Sequence, residues 1–449
     1  DPIAQRIYTF YKASVSGQRV GALARVEDRN GSAQTFTNDR AGRVTRGEDG
    51  LGRSLDFTYT NPTDNLDWPH LSQVADQTGR AVQFGYQVTT EDVMTIHLTA
   101  VTDTLGLATT FNHTGPLTDT VVSAFTLPLG NTPYTQTVEP IADGAWRVTA
   151  QTDAYGNTTA LDFAGDPGTA ITDPLGNASQ HTHTDGRLTA LTDAAGSAAS
   201  IGYDETGRRT SITDRLGDTT TIAYHSETGN VASITNARGE TTTFTYTPQE
   251  QTFADSVAFT FYNRTRVDYP DGTHEEFAYD ERGNVISRVD RSGATRAYTY
   301  NERGQPLTVA NPSGGVTTFT YNDDATLASR ANSESGTTTF AYDEYKRLAV
   351  ITDPVGQAVS LSYDLADRLT SITDENGSVY AYEYDANGNL IKVTDPVGQA
   401  FSLSYDLMDR VTQITNRVGQ VSNLSYDPMG RLASLTDPVG RAFSLSYDP

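Results

Sequence analysis

Aspartate and histidine are the residues of this sequence that most readily suggest chemistry. The 449 residues include 56 acidic side chains and seven histidines. Paired carboxylates can act as general acid and base, but aspartates such as Asp353, Asp395 and Asp437 stand where turn formation alone favours them. We therefore predict a structural role for these three. His181 and His183 would project from one face of a strand, where a metal site would still lack a third ligand.

Other signatures of catalysis or cofactor binding are absent from the sequence. It contains no cysteine, no Gly-x-Ser-x-Gly elbow, no zincin helix motif and no phosphate-binding loop. Acidic turns could bind calcium weakly, but they lack the EF-hand spacing and the nonapeptide of calcium β-rolls. The net charge of −24 argues against nucleic-acid binding. We predict no catalytic, cofactor-binding or metal-binding residue, and no enzymatic activity.

Tyrosine recurs with a fixed period through the second half of the chain. Nine tyrosines are spaced 21 residues apart, and most are followed by Asp: Tyr279, Tyr300, Tyr321, Tyr342, Tyr363, Tyr384, Tyr405, Tyr426 and Tyr447. A second series of glycines precedes these tyrosines by seven residues, as Gly398 does Tyr405. A fixed period of this size is typical of repeat architectures, in which each unit needs its neighbours to bury its surface.

Turn chemistry divides one repeat into two turns and two strand-sized segments. Residues 385–388 and 395–398 each begin with Asp and end with Gly, and the second has Pro at its second position. These are the preferences of a type I turn. Segments of six (389–394) and seven residues (399–405) follow the turns, too short for helices. Each repeat is therefore predicted to be one β-hairpin in an antiparallel meander.

Some repeats lack the glycine that ends the first turn. Lys346, Asp367 and Asp409 stand where other repeats have Gly. Because only Gly adopts left-handed backbone without strain, we expect these turns to differ in type.

Alternation along the seven-residue segment predicts a half-buried strand. Phe401, Leu403 and Tyr405 share one face, and equivalent side chains of successive repeats would form ladders. Leu432 and Leu435 are three residues apart and are predicted to face opposite ways. Because so long a sheet cannot stay flat, the predicted fold is all-β: a long antiparallel β-hairpin ribbon coiled into a β-solenoid-like hollow shell.

The repeats are not equally regular along the chain. Residues 1–150 are predicted to contain degenerate repeats with insertions. Residues 151–449 are predicted to form a regular 21-residue array with an insertion at about 247–268. The array stops in mid-repeat, and we expect the chain to be a fragment.

The repeat motif resembles the YD repeat of the Rhs family. The residues that carry the resemblance are 426–432, 279–284 and 384–390, and the likeness is strong over 151–449 and weak before it. The family includes Rhs polymorphic toxins, the B and C subunits of insecticidal toxin complexes, wall-associated proteins and teneurin receptors. The resemblance implies a spiralling β-ribbon shell around a cavity, which in toxin members holds a C-terminal toxin released by self-cleavage.

The resemblance implies a non-catalytic shell or scaffold of a secreted or cell-surface bacterial protein, part of a larger toxin-encapsulating polypeptide. Its expected partner is an encapsulated or flanking domain of the same polypeptide, with no nucleic acid and no membrane span. We find no plug, variable C-terminal domain or cleavage segment, so no residue is assigned to toxin release. The alternative is an extracellular filament or adhesive protein that binds cells, proteins or glycans and self-associates through open sheet edges, such as that of the final strand at 443–447.

Overall fold

The structure, a computed structural model, consists of β-strands joined by short turns. It describes residues 6–11, 21–62, 69–89, 95–115, 120–141, 146–165, 168–252 and 258–448. Within these ranges there is no helix, and the 39 strands belong to one antiparallel sheet. The sheet does not close, since β1 (Arg6–Phe10) pairs with β2 and β39 (Ala442–Ser444) with β38. The prediction of an all-β antiparallel ribbon is confirmed.

The strands are numbered in chain order. The first part of the chain forms β1 (Arg6–Phe10), β2 (Leu23–Asp28), β3 (Ala33–Asn38), β4 (Val44–Glu48), β5 (Ser54–Thr60), β6 (His70–Asp76), β7 (Ala81–Thr89), β8 (Thr95–Thr102), β9 (Ala108–Thr114), β10 (Val121–Thr126), β11 (Tyr134–Pro140), β12 (Trp146–Asp153) and β13 (Thr158–Gly165). The middle part forms β14 (Gly168–Thr172), β15 (Ala178–Thr184), β16 (Arg187–Thr192), β17 (Ala198–Tyr203), β18 (Arg209–Thr213), β19 (Thr219–Tyr224), β20 (Val231–Thr235), β21 (Thr241–Thr252), β22 (Ala258–Asp268), β23 (His274–Tyr279), β24 (Val285–Val289), β25 (Thr295–Tyr300) and β26 (Pro306–Ala310). The last part forms β27 (Val316–Tyr321), β28 (Leu327–Asn332), β29 (Gly336–Tyr342), β30 (Leu348–Thr352), β31 (Ala358–Tyr363), β32 (Leu369–Thr373), β33 (Val379–Tyr384), β34 (Leu390–Thr394), β35 (Ala400–Tyr405), β36 (Val411–Thr415), β37 (Val421–Tyr426), β38 (Leu432–Thr436) and β39 (Ala442–Ser444).

The chain divides into two compact units, each built from stretches that are distant in sequence. Unit 1 contains residues 1–57, 76–79 and 200–358, and unit 2 contains 58–75, 80–199 and 359–449. Within each unit, consecutive strands pair antiparallel, as β23 with β24 in unit 1 and β33 with β34 in unit 2. The predicted meander of hairpins is therefore present in both units.

Both turns of a repeat have the same hydrogen-bond geometry. In the turn that follows the regularly spaced tyrosine, here called the Tyr-Asp turn, the Asp385 amide donates to the Asn389 carbonyl at 2.9 Å and the Gly388 amide to the Asp385 carbonyl at 3.1 Å. The other turn of the repeat, here called the mid-repeat turn, repeats both bonds from Asp395 to Gln399. The fourth residue has positive φ, which identifies a type I turn followed by a G1 bulge.

The expectation that the turns without glycine differ in type is wrong. Lys346, Asp367 and Asp409 have φ values of 64°, 63° and 56°, and each donates its amide to the carbonyl of the Asp that begins its turn. The hairpin strands on both sides fix this geometry. The left-handed backbone costs about 1–2 kcal/mol for a non-glycine residue, which the paired strands can absorb.

A β-bulge in the regular repeats changes which side chains of the shorter strand share a face of the sheet. Ser425 pairs with Ser434 but Tyr426 pairs with Leu432, so two residues of β38 oppose Tyr426. Leu435 pairs with Leu424, which shares a face with Tyr426. Directly opposed residues point to the same side of a sheet, so Leu432 and Leu435 lie on one face. The prediction that they face opposite ways is wrong because strict alternation fails at a bulge.

The described sheet has very little buried interior. Only Ala124, Phe261 and Val267 are buried apolar residues among those described. Phe401 and Leu403, on the apolar face of β35, are only partly buried. The prediction of half-buried strands is confirmed, and stability must come mainly from contacts between neighbouring strands and turns.

Several irregular regions have ordered strands in the structure. The predicted insertion forms an extended hairpin of β21 and β22, paired from Thr243 with Asp268 to Thr252 with Ala258, and residues 253–257 lie outside the described part. Residues 111–150 hold β10 and β11 with parts of their neighbours, and Trp146 begins β12. The division of the array at residue 150 stays a prediction. The predicted final strand, 443–447, is shorter here, since β39 ends at Ser444.

We expect Gly398→Val to destabilise the protein far more than Gln399→Val. Gly398 has a φ of 83° and open space where a Cβ would stand, so the cost is one of backbone strain. A β-branched residue in that conformation should cost about 2 kcal/mol or more, whereas Gln399→Val should change stability by about 0.5 kcal/mol or less. Urea unfolding of both variants measures the difference, and equal midpoints would contradict the assigned turn.

Candidate functional site

In the Tyr-Asp turns that begin with Asp, the carboxylate accepts several hydrogen bonds. Asp364 Oδ1 accepts the amides of Ala366 at 2.9 Å and Arg368 at 3.0 Å, and its Oδ2 accepts Arg368 Nε at 2.7 Å. Burial would raise the pKa of Asp364, but the hydrogen bonds from Arg368 outweigh it and lower that pKa. These bonds fix the carboxylate within its own turn.

The mid-repeat aspartates singled out in the sequence have the same structural environment. Asp353, Asp395 and Asp437 each accept two backbone amides through Oδ1, from the residues two and four positions later. The structure therefore places all three in turns, as predicted from their sequence context.

In several repeats, an arginine and a tyrosine connect the Tyr-Asp turn to the next repeat. The Arg368 guanidinium lies 4.8 Å from the centroid of the Tyr384 ring, and the Tyr384 hydroxyl donates to the Leu369 carbonyl at 2.9 Å. The same hydroxyl bond to the carbonyl fifteen residues earlier is made by Tyr86, Tyr224, Tyr279, Tyr300, Tyr321, Tyr342, Tyr405, Tyr426 and Tyr447. The recurrent tyrosine is therefore a clamp between repeats.

In unit 1, a buried guanidinium joins stretches of chain that are distant in sequence. Arg29 is 4% exposed and donates to the side-chain oxygens of Gln251 at 3.0 Å, Asn263 at 2.7 Å and Gln249 at 2.8 Å. It also lies 4.5 Å from the ring centroid of Phe261, which is 2% exposed. Burial lowers the pKa of Arg29, and the nearby Asp280 opposes this shift. The predicted insertion supplies all four partners.

The turn that contains Gly283 lies so close to Arg29 that there is no room for a larger residue at position 283. A Cβ on Gly283 would collide with the Arg29 guanidinium. Next to it, the side chains of Asn30 and Asn284 exchange two hydrogen bonds, at 3.1 and 2.9 Å. Contacts like these, between turns of one unit that belong to distant stretches of the chain, are called seam contacts below.

Unit 2 has its own seam contacts. The Leu129 amide donates to Asn387 Oδ1 at 3.0 Å, Asn131 Nδ2 donates to the Leu407 carbonyl at 2.9 Å, and the Leu407 amide donates to the Tyr155 hydroxyl at 3.3 Å. Two further seam contacts are Arg80 with Asp367 at 2.5 Å and Thr104 with the Leu365 carbonyl at 2.7 Å. In each case a mid-repeat turn of the earlier stretch, or a residue beside one, meets a Tyr-Asp turn of the later stretch.

Histidines do not gather into a metal site among the described residues. His181 and His183 lie in β15, where a register shift falls between Thr182 and His183. His97 and His113 face each other across β8 and β9, with ring centroids 5.2 Å apart. The pKa of His113 is lowered, mainly by burial and to a smaller extent by the charge of the neighbouring His97. The described ranges hold no group of three or more potential metal ligands.

Sequence reasoning missed the His97–His113 pair and the Arg29 cluster. The pair has a local signal: a hairpin centred on the turn at 103–106 sets these two histidines opposite each other. The cluster has none, because Arg29 and its partners lie in parts of the sequence that no local pattern connects.

Comparison with known families agrees with the repeat geometry. The Rhs repeat model matches residues 183–220, 279–316, 363–400, 384–421 and 405–442, together about a third of the chain. These stretches of the chain are Rhs repeats. The resemblance inferred from the Tyr-Asp motif is confirmed, and the chain is an Rhs-like structural scaffold.

Solved structures that are similar to this chain include two from toxin complexes. The Tc holotoxin pore of Photorhabdus luminescens is 13% identical, with a TM-score of 0.49, over 91% of this chain and 24% of that one. The TcdB2–TccC3 complex without its hypervariable C-terminal region is 13% identical, with a TM-score of 0.46, over 92% of this chain and 32% of that one. This chain thus spans about a quarter to a third of their length. No curated protein matches it significantly.

We expect that a turn beginning with Asn can replace a turn beginning with Asp with little loss of stability. Asn416 and Gln420 occupy the same mid-repeat positions as Asp437 and Arg441, and Asn416 accepts the same two amides. Asp437→Asn with Arg441→Gln should therefore melt within about 2 °C of the parent, since exposed ion pairs contribute little. Asp437→Ala should melt clearly lower because it removes the amide acceptor. A double variant that melts as low as the alanine variant would contradict this.

The contribution of Asp364 should depend on pH. Its lowered folded-state pKa means that its stabilisation is complete above the unfolded-state value, near pH 4, and is lost as pH falls through the folded-state value. The melting-temperature gap between parent and Asp364→Asn should thus shrink between about pH 7 and about pH 3. Asn416→Ala is the control, and its gap should stay constant. A gap for Asp364→Asn that grows in acid would refute this account.

Proposed function

We propose that this chain is a non-catalytic shell segment of a secreted or surface-delivered bacterial protein, whose repeats surround a domain of the same polypeptide. The observation that carries the proposal is the seam. In each unit, turns from distant stretches of the chain are hydrogen-bonded edge to edge, so the ribbon must return to its own edge after about a dozen repeats. The matches to the Rhs repeat family support both the shell and delivery outside the cell.

The exposed apolar face of the sheet supports enclosure. Side chains such as Phe401 and Leu403 are only partly covered by their own strands. Apolar surface left open to water favours association. A ribbon that returns on itself through seam contacts can keep one face away from bulk solvent without a second layer of secondary structure.

The polar groups support a structural role better than a catalytic one. The turn carboxylates are occupied by backbone amides and arginines. A cleft of about 680 Å³ at the seam of unit 2 is lined by Asp385, Asp406 and Asp409. Asp409 accepts hydrogen bonds from the side chains of Asn387 and Asn389 at 3.0 and 2.9 Å, so its carboxylate serves the contact between neighbouring turns.

Among the residues described, no helix has the length and hydrophobicity of a bilayer crossing.

Small-angle X-ray scattering separates the shell from an extended fibre. A fully extended ribbon of 39 strands would measure about 190 Å. We expect a maximum dimension well below that length and a distance distribution weighted toward long distances, as for a hollow particle. A rod-like profile near the extended length would refute the shell and favour the filament alternative.

A seam variant provides the internal control. Asn131→Ala with Asn387→Ala removes side chains that bond each other and the opposite turns. This double variant should enlarge the particle, while Asn376→Ala, at an exposed turn tip of the same ribbon, should leave its dimensions unchanged.

A further inference from the structure

A row of exposed apolar side chains lies along one edge of unit 2. Val397, Val418 and Val439 occupy the third position of successive mid-repeat turns and are 79%, 71% and 72% exposed. They are called the valine row below. Repeats of two strands place these tips about 10 Å apart. Isolated exposed apolar residues are ordinary, but a regular row at one edge indicates an interaction surface.

The same turn position is occupied differently earlier in unit 2. Leu129, Tyr155 and Leu175, called the seam row below, stand at the equivalent third position and are 58%, 51% and 47% exposed. The Leu129 amide donates to Asn387 Oδ1, and the Tyr155 hydroxyl accepts the Leu407 amide, so both residues contact Tyr-Asp turns.

Neighbouring residues extend this contact along the edge. The centroid of the Tyr155 ring also lies 5.5 Å from the Arg410 guanidinium. Next to Leu175, Pro174 lines a cleft together with Pro428 and Met429 of the following Tyr-Asp turn. The seam row therefore shows what an apolar mid-repeat edge contacts in this protein: a row of Tyr-Asp turns with the same spacing.

We propose that the valine row binds the Tyr-Asp turns of a second copy of this chain, edge to edge. The occupant is argued from the chain's own seam, where the two kinds of turn edge are complementary in spacing, apolar tips and backbone donors and acceptors. The chain carries further Tyr-Asp turns with exposed tips that could serve, such as Glu205 and Thr206 in the turn that begins at Asp204.

This contact differs from strand pairing at the end of the ribbon. It uses turn tips, runs along the edge, and leaves the backbone ladder of β39 untouched. It is also independent of whether the repeats surround a domain. The net charge of −24 opposes association of two copies, so the contact should strengthen as salt screens that repulsion.

Sedimentation velocity tests the proposal on the chain as it exists, from about 0.05 to about 1 M NaCl. We expect concentration-dependent dimers and longer assemblies that increase with salt. The triple variant Val397→Asn, Val418→Asn and Val439→Asn should weaken association about tenfold or more. The substitution preserves net charge, and Asn376 already occupies the same turn position in a neighbouring repeat, so folding should be retained.

A matched control changes the sheet face instead of its edge. Ser362, Ser404 and Ser425 are exposed and lie at equivalent positions of their repeats, and their joint replacement by Asn should leave association unchanged. A monomeric parent at all salts would overturn the proposal. So would association that survives the valine substitutions, which would place the contact at the strand ends or on the face.

Discussion

A single-layer sheet cannot bury its own face, and the construction of this protein follows from that constraint. The described residues include only three buried apolar side chains, so the usual hydrophobic core contributes little. Each repeat must instead be fastened to the next. A short series of contacts between side chains contributes to this connection. Asp364 accepts a hydrogen bond from Arg368, Arg368 stacks on the Tyr384 ring, and the Tyr384 hydroxyl donates to the Leu369 carbonyl. These side-chain contacts add to the backbone pairing that joins neighbouring repeats, as between β32 and β33.

The same constraint explains why local sequence predicts so much of the fold. Turns and strands depend on residues within a single repeat length, and both were predicted from the repeat. The hydroxyl bond of the tyrosine clamp also lies within one repeat length, but it was not predicted. Strict alternation failed where the bulge opposite Tyr426 brings Leu432 and Leu435 to one face. That bulge recurs before the regular tyrosines from Tyr279 to Tyr426, as between Ser404 and Tyr405, so the apolar spacing of three is its sequence signature rather than a helical one.

Glycine was also a weaker requirement than the sequence suggested. Lys346 and Asp409 adopt left-handed backbone because the flanking strands have already fixed the hairpin. Asp409 uses that position to accept the side chains of Asn387 and Asn389 from the preceding turn. Asp409 therefore adopts a strained backbone conformation but gains a contact between repeats, and the turn type is preserved.

The seams lie beyond sequence reasoning because nothing in a repeat specifies which distant repeat it will meet. Arg29 and its amide partners belong to separate stretches of the chain, and only the fold brings them together. Their chemistry is nevertheless consistent with the acidic composition. About twenty aspartates start the described turns, so two turn edges that meet would bring carboxylates together. The seams instead join Asn30 with Asn284, Leu129 with Asn387, and Arg80 with Asp367. Neutral amides, backbone groups and arginines at these points avoid like-charge repulsion, which lets an acidic ribbon lie against its own edge.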